Sequence, residues 1–135
     1  MIPIRNRTIL DSIQPDFEKV TSVSKNDHVI GYHLFTKDTL SRFDIACCHN
    51  LAPLYGIPEE AATGTSSGAL ACYLMNNGML NKESTDCLVF EQGYSLGRPS
   101  EIIVSLSLSN GRISEIDASG NAENIGQKQI SICCK

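Results

Sequence analysis

Glu59 and Glu60 stand side by side, just ahead of a run of small residues, Thr63-Gly64-Thr65-Ser66-Ser67. A carboxylate held beside a weakly acidic carbon can carry its proton. The small residues run into Gly68-Ala69-Leu70-Ala71-Cys72-Tyr73-Leu74-Met75, which reads as a strongly apolar helix over Ser66–Asn77. The start of a helix leaves about four backbone N–H groups unpaired and carries a partial positive charge. Such a start binds anions, and glycine lets a ligand come close. The stretch therefore holds both parts of a site that binds a small acid and moves a proton. A plainer account also fits these residues. Two acids ahead of a helix favour its positive end, and Thr63, Thr65 and Ser66 are ordinary capping residues.

The elements around this stretch follow from spacing. Ile2-Pro3-Ile4 reads as a short strand, and Pro3 assigns it to a sheet edge. Thr8 to Gln14 forms one or two helical turns. A helix opens at Pro15-Asp16, with Ile13, Phe17, Val20 and Val23 on one apolar face, and Lys25-Asn26-Asp27 is a turn. Strands are expected over His28–Phe35 and Arg42–Cys48, with a loop over His49–Ile57. After the apolar helix, Asn77-Gly78 is a stop. Further strands are expected at Cys87–Glu91, Ile102–Leu108, Arg112–Ala118 and Gln129–Cys134, with Asn110-Gly111 as a hairpin turn. The middle of the Ser66–Asn77 helix is apolar on every side, the pattern of a helix buried all round.

With 135 residues and 41% hydrophobic composition, the chain reads as one domain over 1–135. Its net charge is −4, and no run of like charges exceeds two. This argues against nucleic acid or an anionic membrane as partner. No apolar run approaches the length of a membrane span, and Met1-Ile2-Pro3-Ile4-Arg5 has no secretory pattern. A cytoplasmic protein is expected. The six cysteines, Cys47, Cys48, Cys72, Cys87, Cys133 and Cys134, lack zinc spacing. They read as plain thiols, and no metal or cofactor site is expected.

Two longer motifs resemble a known family, the phenazine-biosynthesis PhzF-like isomerases, which share the fold of diaminopimelate epimerase. That family carries a segment close to A-P-x-x-G-I-x-E-D-P-A-T-G-S-x-x-G-x-L-A-x-Y-L. Ala52-Pro53, Gly56-Ile57, Glu59, Ala62-Thr63-Gly64, Gly68, Leu70-Ala71 and Tyr73-Leu74 match it. A downstream Q-G-x-x-x-G-R-P-S segment is matched by Gln92-Gly93 and Gly97-Arg98-Pro99-Ser100. The resemblance implies an α+β lobe, a mostly antiparallel sheet wrapped around a central buried helix. It covers nearly the whole chain but one lobe of two, the C-terminal one.

The resemblance also implies roles. Glu60 stands at the family's Asp and would be the catalytic proton carrier. Gly64 matches a glycine whose N–H approaches substrate, and Thr65 matches a serine that binds it; Thr63 and Ser66 complete the substrate-binding turn. Ala62 replaces the cysteine that related epimerases use, which disfavours cysteine-based racemisation. His49 stands at a family arginine and reads as a structural surface or loop histidine, Arg98 as pinning its turn, and His28 and His33 as strand surface residues. The implied activity is cofactor-independent proton-transfer isomerisation of a small carboxylate. The family's first lobe supplies a further Glu and a histidine, so a complementary N-terminal lobe chain or a homodimer is expected to complete the cleft. The alternative is an inactive lobe that serves as a binding module.

Overall fold

The computed structural model describes residues 1–81, 85–121 and 129. The expected strand Gln129–Cys134, with Cys133 and Cys134, lies outside the described residues, apart from Gln129. Strand β1 is Ile2–Pro3, followed by helices α1 (Arg7–Ser12) and α2 (Phe17–Asp27). Asn6 caps α1 by accepting from the Ile9 amide, and Asp16 caps α2 by accepting from Lys19. The Lys25-Asn26-Asp27 segment, expected as a turn, is the last turn of α2. The helix stops one residue later, where His28 adopts the left-handed conformation.

Strands β2 (Tyr32–Thr36), β3 (Ala46–Ala52), β4 (Ile57–Glu60), β5 (Leu88–Gln92), β6 (Ser100–Ser109) and β7 (Arg112–Ser119) follow, with helix α3 (Gly64–Asn76) between β4 and β5. The sheet runs β1-β2-β3-β5-β6-β7, and β4 also pairs with β3. Most pairings are antiparallel; β1 with β2 and β3 with β5 are parallel. Asn110 and Gly111 both take positive φ, 53° and 74°. Two such residues suit the tight turn whose twist matches the strands on either side.

Strand β3 organises the molecule. The expected strand Arg42–Cys48 and loop His49–Ile57 are both displaced. Arg42 to Asp44 lie in a loop, with Phe43 75% exposed, and the strand continues through His49 to Ala52. The alternation of Arg42 to Cys48 is genuine, but long-range pairing decides the strand. At one end Ala46–Cys48 pairs with β5, and at the other Asn50 and Ala52 pair with β4. All seven residues of β3 are buried.

The two faces of the sheet carry two cores. On one, Phe35, Cys48, Phe90, Ile102, Val104 and Leu106 pack against Leu70, Ala71, Leu74 and Met75 of α3. On the other, Leu34, Cys47 and Leu51 pack against Leu10 of α1. The full burial expected of α3 is one-sided among the described residues: Ser67, Gly68, Leu70, Ala71, Leu74 and Met75 are buried, while Thr65 and Ala69 are exposed. No helix among the described residues is long and apolar enough to cross a membrane.

Candidate functional site

Strand β4 separates the two acids. Successive strand residues point to opposite faces, so Glu59 and Glu60 cannot share a site. Glu60 pairs directly with Asn50 of β3, and Asn50 pairs with His33 of β2. Directly paired residues share a face, so His33, Asn50 and Glu60 form a row across the sheet on the α3 side. Gln92 of β5 pairs with Cys48 and shares that face.

The Glu60 carboxylate lies beside the start of α3. Thr63 Oγ1 donates to Glu60 Oε2 at 2.8 Å. Gln92 Nε2 donates to the Glu60 carbonyl at 2.6 Å and to Thr63 Oγ1 at 3.1 Å. Thr63 occupies the N-cap position, yet its side chain makes no capping hydrogen bond. Its hydroxyl turns to the acid instead. Ser67 N–H to the Thr63 carbonyl, at 3.0 Å, is the first helical bond. The N–H groups of Gly64, Thr65 and Ser66 precede it at the open end. Gly64 and Ser66 are half-buried and Thr65 is exposed, so the end is reachable by a ligand.

The downstream motif supports this turn from behind. Gly93 has φ +82°, and a Cβ there would lie 2.3 Å from the Arg98 carbonyl oxygen and 2.7 Å from that of Ala61. Only glycine lets the Gln92-Gly93 backbone lie this close. The Arg98 amide donates back to the Gly93 carbonyl at 3.0 Å. The two sequence motifs thus meet at one place, with the Gly97-Arg98 turn bracing Gln92 under Glu60.

The other face holds charges. His49, expected as a surface or loop histidine, is 3% exposed inside β3. Its Nδ1 lies 3.4 Å from Glu59 Oε1, and its Nε2 lies 3.8 Å from Asp11 Oδ1. Ser95 donates to Glu59. Arg7 pairs with Glu91 at 2.5 Å and with Asp11 at 3.3 Å, and lies 4.4 Å over the Tyr94 ring. Glu91 also accepts the Leu40 and Ser41 amides, which pins the exposed loop. Burial opposes ionisation of Glu91, but the Ser41 amide and the Arg7 guanidinium outweigh it and hold its carboxyl below the ordinary value. Asp44 is pushed up to about 6, by burial first and then by the Glu91 carboxylate beside it. This network ties α1 and the loop to the sheet.

Two residues of the Glu60 face escaped the sequence reading of side chains. Gln92 was visible only as part of a motif. His33, expected on the surface, is 5% exposed, and its Nδ1 contacts Asn50 Oδ1 at 3.1 Å. Burial pushes its pKa down to about 4, leaving a neutral ring near pH 7. The strand expected over His28–Phe35 begins only at Tyr32, because His28 ends α2, and its alternation does not say which face is covered. Cys47 and Cys48 are buried, and burial raises both thiols, Cys47 to about 11. Among the described residues no three His, Cys, Asp or Glu side chains group to hold a metal ion.

Comparison with known proteins bears on the same residues. A family model described as "Phenazine biosynthesis-like protein" matches residues 1–126. An uncharacterized isomerase of Deinococcus radiodurans is 30% identical over 90% of this chain and 39% of its own length. A trans-2,3-dihydro-3-hydroxyanthranilate isomerase of Pseudomonas chlororaphis is 32% identical over 58% of this chain and 28% of its own. The crystal structure of a Bacillus anthracis phenazine biosynthesis protein of the PhzF family superposes with a TM-score of 0.70 at 22% identity, covering 87% of this chain and 40% of that one. The likeness supports the α+β, diaminopimelate-epimerase-like fold. The chain spans 39% of the first of these relatives.

Proposed function

We propose, for a chain that belongs to the phenazine biosynthesis-like (PhzF) family, that it forms one wall of an isomerase site that moves a proton on a small carboxylate. The observation that carries this reading is the Glu60 carboxylate held by Thr63 at the open start of α3. The substrate carboxylate would sit on the unpaired N–H groups of Gly64, Thr65 and Ser66, where the helix dipole favours an anion. Glu60, tied to the helix start through Thr63, would take a proton from one carbon or give it to another. The chemistry assigned to these residues needs neither metal nor coenzyme.

Moving a proton between two carbons calls for a second proton carrier or for Glu60 to serve both positions. Among the described residues, the Glu60 side chain has Thr63 as its hydrogen-bond partner, and Glu59 faces the opposite side of the sheet. We therefore propose that a second lobe, from a complementary chain or a second copy, closes the site. That closure would also exclude water from the reacting groups.

The test is deuterium exchange. The chain is incubated in D2O with trans-2,3-dihydro-3-hydroxyanthranilate, the substrate named for the Pseudomonas relative, and with a panel of small amino and hydroxy acids. Light scattering on the same samples gives the oligomeric state. Carbon-bound deuterium that appears with the wild type and not with Glu60→Gln supports the reading. Equal exchange by both proteins overturns it. Exchange only in a dimer, or only after a complementary lobe is added, identifies which second lobe is used.

A further inference from the structure

Gln92, whose side chain reaches the Glu60 carbonyl, is fully buried, at 0% exposure. Its amide nitrogen has two acceptors, the Glu60 carbonyl and Thr63 Oγ1. Its amide oxygen, Oε1, is buried without a hydrogen-bond partner among the described residues. An orphaned buried acceptor costs about 1–3 kcal/mol. An apolar side chain of similar length would fill the same space without that cost. The position is held by a glutamine whose one satisfied end points at Glu60 and Thr63.

The donor inventory fixes the direction of this chain of bonds. A primary amide nitrogen only donates. A hydroxyl has one hydrogen and two lone pairs. Once Thr63 Oγ1 accepts from Gln92, its single hydrogen is directed to Glu60 Oε2, as the 2.8 Å contact requires. The same amide nitrogen holds the Glu60 backbone through its carbonyl. Both ends of Glu60 are therefore tied to one group, the backbone directly and the carboxylate through Thr63.

We infer that Gln92 is the positioning residue of this site: through Thr63 it orients the Glu60 carboxylate so that Oε2 is occupied and Oε1 is the oxygen that exchanges a proton. The inference rests on the isomerase reading for what Oε1 does, but the orientation itself does not. It also revises the part expected of Thr63. Its hydroxyl hydrogen is engaged by Glu60, so substrate contact falls to Gly64, Thr65 and Ser66.

The test uses the full chain, labelled for NMR, as wild type, Gln92→Leu, Thr63→Val and Thr63→Ser. In folded Gln92→Leu, the Thr63 three-bond couplings are expected to change from one rotamer to an average, and the Glu60 Cδ resonance to move. The amides of Phe90 and Val104 should stay in place. Thr63→Ser should keep the wild-type Glu60 signal. Unchanged Thr63 and Glu60 signals in Gln92→Leu overturn the inference. If Gln92→Leu does not fold, Thr63→Val decides: the Gln92 side-chain amide should then exchange about tenfold faster, as for a donor that has lost one partner, and no change overturns the proposal.

A kinetic arm separates this inference from the isomerase reading. Where the chain or its completed assembly turns over, Gln92→Leu and Thr63→Val should each lower kcat about tenfold to a hundredfold, the effect of a misplaced reacting group. KM should move less than about threefold. The double variant should be little worse than either single one, because the two act in one chain. Unaltered kcat in both variants overturns the positioning role. If no form turns over, the isomerase reading fails, and the NMR result alone decides the orientation.

Discussion

Glu59 and Glu60 are neighbours in sequence with opposite surroundings. Glu60 meets hydroxyl and amide donors at the start of a helix. Glu59, one residue away, faces His49 and Ser95 in a network that also contains Asp11, Arg7 and Glu91. The strand period of two sends consecutive side chains to opposite faces. One face of β3 and β4 thus presents a carboxylate to the open start of α3, and the other uses carboxylates to fasten α1 and the loop at Leu40–Asp44. Identical side chains take different surroundings from the face they occupy, and under the proposed function this gives Glu60 a chemical part and Glu59 a structural one.

The contrast breaks most sharply at Glu60. Glu60→Gln keeps the shape and the bond from Thr63 but cannot carry a proton. Carbon–deuterium exchange is expected to fall about a thousandfold, within the usual range for loss of a general acid or base. The melting temperature should stay close to wild type. Glu59→Gln should do the reverse. Exchange is expected to remain within about threefold, with a stability loss of about 1.5 kcal/mol, the low end of the worth of a hydrogen bond to a charged group. Equal losses of exchange in both variants would show that the two faces are not functionally separate.

The structural face should respond most to Glu91. This carboxylate is 1% exposed and bonds Arg7 and two loop amides. Removing one partner of a buried pair leaves the other charge uncompensated, so Glu91→Gln is expected to cost about 3 kcal/mol by denaturant unfolding. Because the folded value of Glu91 is lowered, its contribution is present above the ordinary value of 4.5 and is lost as pH falls through the folded value. A wild-type minus Glu91→Gln difference that shrinks in acid would agree. A difference that grows in acid would reverse the assignment of charge.

The extent to which this could be read from the chain also differs by face. Helix α3 and the Asn110-Gly111 hairpin are local features, set by small residues, apolar period and positive φ, although α3 begins at Gly64 and takes in most of the turn expected at Thr63–Ser67. They were legible. Strand β4 was not, because Gly56 and Pro58 punctuate it as a loop, and its pairing with β3 is a contact between separate segments. Without β4, nothing in the sequence separates the faces of Glu59 and Glu60. His49 and His33 were misplaced for the same reason. Burial of a strand histidine depends on which elements cover each face, and α1 and α3 are set by packing. Gln92 was visible as a motif residue, but its bond to Glu60 joins positions that only the sheet brings together.

The smallest expected effect tests the edge of the charged face. Asp44 is raised to about 6 from an ordinary 3.8, by burial first and then by the neighbouring Glu91. The folded chain therefore holds the Asp44 proton more tightly than the unfolded chain does. Its contribution to stability is complete below about 3.8 and is lost as pH rises through about 6. Above that, two carboxylates face each other, with Arg7 already engaged by Glu91. Asp44→Asn removes the repulsion and offers Glu91 a neutral donor. Because the group is partly exposed, the gain at pH 8 should be only about 0.5 kcal/mol, or roughly 2 °C in Tm. At pH 4 the gain should vanish, since wild-type Asp44 is then protonated in the fold. A stabilisation that is the same at both pH values would mean that packing, and not the proton shared near Glu91, sets the behaviour of this loop.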